Sequence, residues 1–282
     1  PILFTGADEY FYQITTSKID MKKEFDKAGV KTPPWVEIKK DEKNFTNILK
    51  KLGKPLIVKP AVSGGSMGVG IKSVVHTEEE LAEQVKHLYD GYNGWNLSTG
   101  GVIAESFING PEFTTLITGT DGYKNNCHVY TPVERVFHPS LPDTEKFLSF
   151  DRLWEIYENE TPMPNQGNFY EYQQPHAKLI EKIKKISLDA YNAVKGKGYT
   201  RVDLRMDKNT GEIYVLEVNA QCGLSDDEDY TSIGAILRLS NCTFSNMIKE
   251  ILQDAFLRNG IKPSLNGKRK KITPAINQAQ LN

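Results

Sequence analysis

The chain has 282 residues, 35 Lys+Arg against 36 Asp+Glu, a net charge of −1, 39% hydrophobic and 25% charged residues. These values exclude disorder and collagen-like structure and leave room for roughly two lobes, each with its own core. The even charge balance offers no broad basic face for nucleic acid or an anionic membrane, and no apolar run approaches the ~20 residues of a membrane span. The three cysteines (Cys127, Cys222 and Cys242) are too few and too scattered for a disulfide framework or a zinc site, which fits a reducing, cytoplasmic setting. The chain opens at Pro1 with no signal peptide, so a fragment of something longer is expected. Four N-x-S/T triplets, at Asn44, Asn96, Asn159 and Asn241, are of a kind that chance supplies.

Thr15-Thr16-Ser17 offers an N-cap, and Ile19, Met21, Phe25 and Ala28 then recur near helical spacing until Gly29. Pro33-Pro34 leads into a strand over 35–38. Asp41 caps a second predicted helix, with Phe45, Ile48 and Leu52 on one face and Gly53 at its end. A strand over 56–59 runs into a loop over 60–70 that carries Gly64, Gly65, Gly68 and Gly70, and 71–75 reads as the returning strand. Thr77 and Glu80 form a capping box for a helix to about Asp90. Strands are predicted over 102–107, 112–118 and 128–136. Residues 139–172 are aromatic, proline-rich and without a clear period, which marks a functional loop or disorder. A long helix over 173–195, strands over 200–206 and 213–218, and a last helix over 243–256 follow. The tail after Asn259 holds Lys268-Arg269-Lys270-Lys271 and reads as solvated. Intermixed helices and strands with tight turns imply α+β lobes with mainly antiparallel sheets.

Three places carry chemistry. Alternation puts Arg201, Asp203 and Arg205 on one face of their strand, and Glu217 and Asn219 on one face of the next. If Asp207 pairs with Ile213, Asp203 lies opposite Glu217. Two carboxylates so placed repel unless something cationic sits between them, and hard oxygen ligands suit Mg²⁺. A solvated hairpin face balanced by Arg201 and Arg205 reads equally well from these residues alone. The second place is Lys59 followed by the glycine loop, whose backbone N–H groups and Ser66 can turn toward a phosphate. It is neither a Walker nor a Rossmann pattern, because it joins two strands. The third is Glu105 and Glu112, flanking a short connection that can offer backbone groups to a base and a carboxylate to a ribose. Taken alone, two surface glutamates are the plainer reading.

The order of these signals (Lys59, glycine loop, Glu105 hinge, then Asp203, Glu217 and Asn219) resembles the ATP-grasp superfamily, and most of all its D-alanine–D-alanine ligase branch, over roughly residues 15–255. The resemblance implies an ATP-grasp fold, two α+β lobes sandwiching the nucleotide. It implies that Lys18 and Lys59 contact phosphates and that Gly64, Gly65, Ser66 and Gly68 belong to a loop closing over them. Glu105 and Ile108 would read adenine, the latter by its backbone, and Glu112 would hold the ribose. Asp203, Glu217 and Asn219 would hold two Mg²⁺, with Mn²⁺ able to substitute. Arg201 would steady the transferring phosphate and the Gly223 N–H would meet the tetrahedral intermediate. The matching domain division is a remnant of a preceding segment over 1–16, a small lobe over 17–107, a large lobe over 108–258 and a basic tail over 259–282.

The departures from the family are equally specific. Its further N-terminal domain, which holds part of the first substrate's site, is absent, leaving a separate domain or a homodimer partner to complete that site. Where the family places a lysine before an aromatic in its mobile loop, this chain has Leu153, with Arg152 beside it as a substitute. Where the family holds the second alanine's carboxylate, this chain runs Ser225-Asp226-Asp227-Glu228-Asp229, which repels a carboxylate and suits an amine; an acidic capping turn is the plainer reading. The expected activity is ATP- and Mg-dependent ligation of a small-molecule carboxylate to an amine through an acylphosphate, with an acceptor other than D-alanine. The rivals are a non-catalytic ATP-binding module and an ATP-dependent kinase on the same core. No nucleic-acid or membrane partner is expected, and Cys222 has no nearby histidine to make it a nucleophile.

Overall fold

Ser17 separates two short helices at the start of the computed structural model, which describes residues 4–122, 126–158, 160–164, 167–220, 222–227 and 231–261. The first is α1 (Glu9–Thr16) and the second α2 (Lys18–Ala28), whose Asp20 N–H donates to the Ser17 hydroxyl at 3.2 Å. Next come β1 (Trp35–Ile38), α3 (Phe45–Leu52), β2 (Leu56–Pro60), β3 (Val74–Val75), α4 (Glu78–Asp90) and β4 (Val102–Ser106). Their strands form one antiparallel sheet in the order β1-β4-β2-β3. Helices α3 and α4 cover one of its faces. Ile48, Leu49, Leu81, Val85 and Leu88 bury against Leu56, Val58 and Ala104 there, at about 1.5–3 kcal/mol per large side chain.

The second half contains β5 (Glu112–Thr118), β6 (His128–Val129), β7 (Val133–Phe137), α5 (Phe150–Leu153), β8 (Tyr170–Gln173), α6 (Ala177–Ala193), β9 (Tyr199–Met206), β10 (Ile213–Ala220), α7 (Ser232–Leu239) and α8 (Phe244–Arg258). Its sheet is antiparallel throughout, ordered β10-β9-β5-β7-β8 with β6 on β5. Phe11 of α1, Phe25 of α2 and Ile183 and Tyr191 of α6 pack on Phe113, Val202, Leu204 and Val215. Helices α7 and α8 cluster with Leu116, Tyr130 and Val133. Helix α2 serves both sheets: Met21 and Phe25 enter the larger core, while Ile19 packs on Ala61 and Ile103.

The fold is the expected α+β arrangement, with local differences. Helix α3 is capped by Asn44, which accepts the Asn47 N–H, rather than by Asp41. Residues 71–73 form a 3₁₀ turn before the two-residue β3. The single strand expected over 128–136 is two, β6 and β7, parted around Pro132, which has no N–H for the ladder. Pro175 likewise precedes the true start of α6. Helices α1 and α7 were not anticipated. In α7, Ile233, Gly234, Ala235, Ile236 and Leu237 are all buried, and its eight residues are too short a run for periodicity to tell helix from strand. The basic run at 268–271 and Asn159 lie outside the described residues. No helix among the described residues is long and apolar enough to cross a membrane.

Candidate active site

The two sheets border a cleft of about 620 Å³, and the hairpin β9–β10 supplies one end of it. Met206, not Asp207, pairs with Ile213, but the register shifts by one between Val215 and Glu217. This bulge restores the expected juxtaposition: Asp203 lies opposite Glu217 and Arg201 opposite Asn219. Arg201 donates to Asp203 from Nη2 at 2.8 Å and from Nε at 3.1 Å. Asn219 Nδ2 sits between the carboxylates, 3.0 Å from Asp203 Oδ2 and 3.1 Å from Glu217 Oε1. Burial opposes ionisation of Asp203, yet Arg201 and Arg135 outweigh it and hold its carboxyl below the usual range.

Lysines dominate the opposite wall. Lys59, next to last in β2, pairs with one oxygen of Glu105 on β4, and Lys22 Nζ lies 2.8 Å from the other. The ammonium group of Lys18, 8% exposed at the start of α2, donates to Ser63, to its hydroxyl at 3.1 Å and its carbonyl at 3.4 Å. Two ammonium groups therefore pair with one buried carboxylate, and a third, Lys18, lies close enough to feel its charge. Burial opposes the charge on Glu105, but Lys22 and Lys59 override it and lower its pKa to about 2. Burial pushes Lys18 downward, and the more distant Glu217 and Glu105 only partly compensate. Such a surplus of buried positive charge is costly without an anion.

Between these walls lies the glycine loop. Gly64, Gly65 and Ser66 line the cleft, whereas Gly68 faces a separate cavity of about 410 Å³ behind the loop. Gly65 has φ +56°, and a Cβ there would come 2.9 Å from the Trp154 ring; Gly68 has φ +76°, and its Cβ would meet Pro60 at 2.7 Å. Side chains are thus excluded at both positions. The irregular segment before β8 clasps this loop. Trp154 Nε1 donates to the Gly65 carbonyl at 2.8 Å, and the Phe150 N–H to the Val69 carbonyl at 2.8 Å. Glu160 accepts from the Ile71 N–H at 3.1 Å and the Ser149 hydroxyl at 2.5 Å.

All the candidate residues line the cleft except Gly68 and Arg152. Arg152 is buried and held 2.7 Å from Glu145 and 3.4 Å from Glu160; Leu153 is the residue that reaches the cleft. Ile108 and Gly223 are in the lining. Glu112 is there too, paired with Arg135 and 3.8 Å from Arg205. Cys222 also lines the cleft, but burial pushes its thiol up to about 11, so it is not a thiolate near neutral pH. Ser225 is at the rim with Asp226 and Asp227 exposed beyond it; Glu228 and Asp229 lie outside the described residues.

Among the described residues no group of three or more His, Cys, Asp or Glu side chains is placed to hold a metal alone. The Asp203, Glu217 and Asn219 set nevertheless fits Mg²⁺, which is usually bound through one or two carboxylates plus substrate phosphates. The Asn219 amide already stands where a donor bridges both carboxylates, and turning it over offers its oxygen. The lysine wall and the glycine-rich loop fit a polyphosphate by the same charge and steric reasoning.

The sequence reading passed over Lys22, Arg135 and the Trp154 contact. Lys22 was detectable as the i+4 neighbour of Lys18 on one helix face. Arg135 was detectable as a charge at an inward position of β7, between Val133 and Phe137, both buried. Nothing local ties Trp154 to Gly65.

The family model for the D-ala D-ala ligase C-terminus matches residues 25–253. A D-alanine–D-alanine ligase of Bacillus anthracis is 28% identical over 224 residues, covering 79% of this chain and 62% of that protein. One from Clostridium beijerinckii is 26% identical over 254 residues, 90% of this chain and 72% of that protein. The chain thus spans 62% of the length of the first of these relatives. Among solved structures, the B. anthracis D-alanine–D-alanine ligase complexed with ATP superposes with a TM-score of 0.66 at 23% identity, covering 92% of this chain and 72% of that one. The VanG D-Ala:D-Ser ligase of Enterococcus faecalis gives 0.66 at 21%, covering 89% and 64%. These two likenesses speak for the fold, and the sequence match for descent. With two antiparallel sheets enclosing the cleft and a family match over most of its length, the chain belongs to the D-alanine–D-alanine ligase C-terminal family of the ATP-grasp superfamily.

Proposed function

We propose that the chain is the ATP-binding and catalytic part of an ADP-forming ligase that joins a carboxylate to an amine. The observation that carries this reading is the charge pattern of one cleft. Lys18 and Lys59 line one end, where Glu105 pairs with Lys59, and two carboxylates face each other at the other. The first is matched to phosphates and the second to divalent cations. In this reading Lys18 and Lys59 receive phosphate oxygens, the loop 62–69 covers them, and the backbone of Ile108, which lines the cleft, reads a base edge. Asp203, Glu217 and Asn219 would hold Mg²⁺, which when bound would neutralise phosphate charge.

A carboxylate oxygen of the first substrate attacks the γ-phosphorus, the bond to the β-phosphate oxygen breaks, and ADP leaves an acylphosphate. Arg201 faces the transferring phosphoryl group. The amine nitrogen then attacks the acyl carbon, loses a proton and expels phosphate, while the Gly223 N–H meets the oxyanion. Positioning and charge stabilisation carry such chemistry, so no protein nucleophile is needed. The Trp154–Gly65 hydrogen bond ties the glycine loop to the segment before β8.

We assign the acceptor as an amine-bearing group other than D-alanine, because Asp226 and Asp227 stand beyond the cleft rim at Ser225. A carboxylate ~4 Å from one of them meets a repulsion of about 1 kcal/mol in water and several in a partly buried site. The test of the ligase reading is phosphate release from ATP in the presence of Mg²⁺ and candidate carboxylates, with and without an added amine. Release that depends on both substrates supports it. Release with the carboxylate alone, undiminished without amine, points to a kinase, and ATP binding without turnover to a non-catalytic module.

A further inference from the structure

Lys18 and Lys22 are one helical turn apart on α2, and their side chains leave the same face. Lys22 is completely buried, with Nζ 2.8 Å from Glu105 Oε2 and 2.5 Å from Thr32 Oγ1. It does not reach the cleft, so it cannot touch a ligand there. The second oxygen of Glu105 belongs to Lys59, whose side chain is 13% exposed and lines the cleft. A hydrophobic side chain of similar volume at position 22 would serve packing at least as well as a buried ammonium. The lysine therefore needs a reason beyond packing.

We propose that Lys22 is a positioning residue for the nucleotide phosphates, acting through Glu105. By taking part of the Glu105 charge it leaves Lys59 incompletely neutralised and available to a phosphate. By tying α2 to β4 it also holds Lys18, four residues earlier on the helix, against Ser63 at the start of the glycine loop. Glu105 is 1% exposed with each oxygen committed to an ammonium group, so its carboxylate serves the lysines rather than a base. The Lys18 N–H donates to the Ala61 carbonyl at 2.8 Å, which makes the helix start and the loop one unit. This inference rests on the reading of the cleft as a nucleotide site.

The test is the Mg-ATP affinity of the parent chain, Lys22→Met and Lys22→Met/Glu105→Gln, measured by titration calorimetry, with adenosine binding followed by NMR. Neither variant strands a deeply buried charge: in the first Glu105 keeps Lys59, and in the second Glu105 is neutral. In Lys22→Met, Lys59 becomes the only counterion of Glu105, and ATP should bind ~10–100-fold more weakly, the range for one charge-assisted contact. Adding Glu105→Gln frees Lys59 and should recover at least ~3-fold of that loss, while adenosine affinity stays level in all three. A double variant that binds ATP no more tightly than Lys22→Met overturns the inference. So does an adenosine affinity that falls by the same factor as that for ATP, which would mark a structural or base-reading role. A parent chain that binds no ATP instead removes the nucleotide reading itself, and this inference with it.

Discussion

Lys59→Ala is the sharpest probe of the cleft, because the structure says both what is lost and what survives. Removing Lys59 leaves Glu105 paired with Lys22 at 2.8 Å, so no buried carboxylate is orphaned and the fold should hold. What disappears is one cation facing the phosphates. A hydrogen bond to a charged group contributes about 1.5–3 kcal/mol, so Kd for ATP should rise ~10–150-fold. At an ATP concentration of 100 times the parent's Kd, the parent gains ~2.7 kcal/mol of stability from RT ln(1 + [L]/Kd). At the same concentration the variant gains only about 0.3–1.4 kcal/mol. For a chain of this size 1 kcal/mol moves Tm by about 2–4 °C, so a parent shift of roughly 5–11 °C should fall to half or less. Differential scanning fluorimetry with and without Mg-ATP measures both. An undiminished ATP-induced shift in Lys59→Ala would mean that the nucleotide binds elsewhere.

Asp203→Asn and Glu217→Gln should each abolish Mg-dependent ADP formation, since each removes one of two facing carboxylates; turnover near the parent rate in a coupled ADP assay would end the metal assignment. Acidification probes the buried ion pairs. The Glu105 pKa is lowered from 4.5 to about 2, burial opposing and Lys22 and Lys59 driving the shift. A depressed carboxyl contributes stability above its unfolded pKa and loses it as pH falls toward the folded one. Parent and Glu105→Gln should therefore differ by about 3 kcal/mol in urea unfolding above pH 4.5, converging between pH 4.5 and 2. A gap that stays constant with pH contradicts the pairing. Incubation with ATP and D-alanine should give no D-alanyl-D-alanine, and Asp226→Ser/Asp227→Ser should raise KM for the true amine while leaving ATP affinity alone. Dipeptide formation at ~1 s⁻¹ or above would refute the acceptor assignment.

What could be read from the residues was local and periodic. Strand alternation put Asp203 with Arg201, and Glu217 with Asn219, on shared faces, because period 2 is a property of the backbone itself. Capping chemistry placed α4, where Thr77 accepts the Glu80 N–H and Glu80 accepts the His76 and Thr77 N–H groups within a few residues. The positive φ at Gly65 and Gly68 is likewise a requirement that glycine announces in advance.

Other features had no local signature. The face-to-face placement of Asp203 and Glu217 depends on a bulge that offsets a one-residue error in the expected pairing, and a bulge is decided by how both strands pack. Helix α7 was invisible because a short, largely apolar run of eight residues cannot be told from a buried strand by periodicity. Pro132 broke a run that hydrophobicity alone would have kept whole.

The sequence by itself determined which residue types face which way within each element, since that follows from backbone geometry and side-chain polarity over a few residues. Only the tertiary structure decided which charges meet. Lys22, Lys59 and Glu105 come from α2, β2 and β4, and Arg135, Arg205 and Glu112 from three neighbouring strands. Arg152 was drawn to Glu145 and Glu160 while Leu153 took the cleft position. Coulomb energy in a buried site depends on distance and desolvation, and neither exists until helices and sheets from distant parts of the chain have packed.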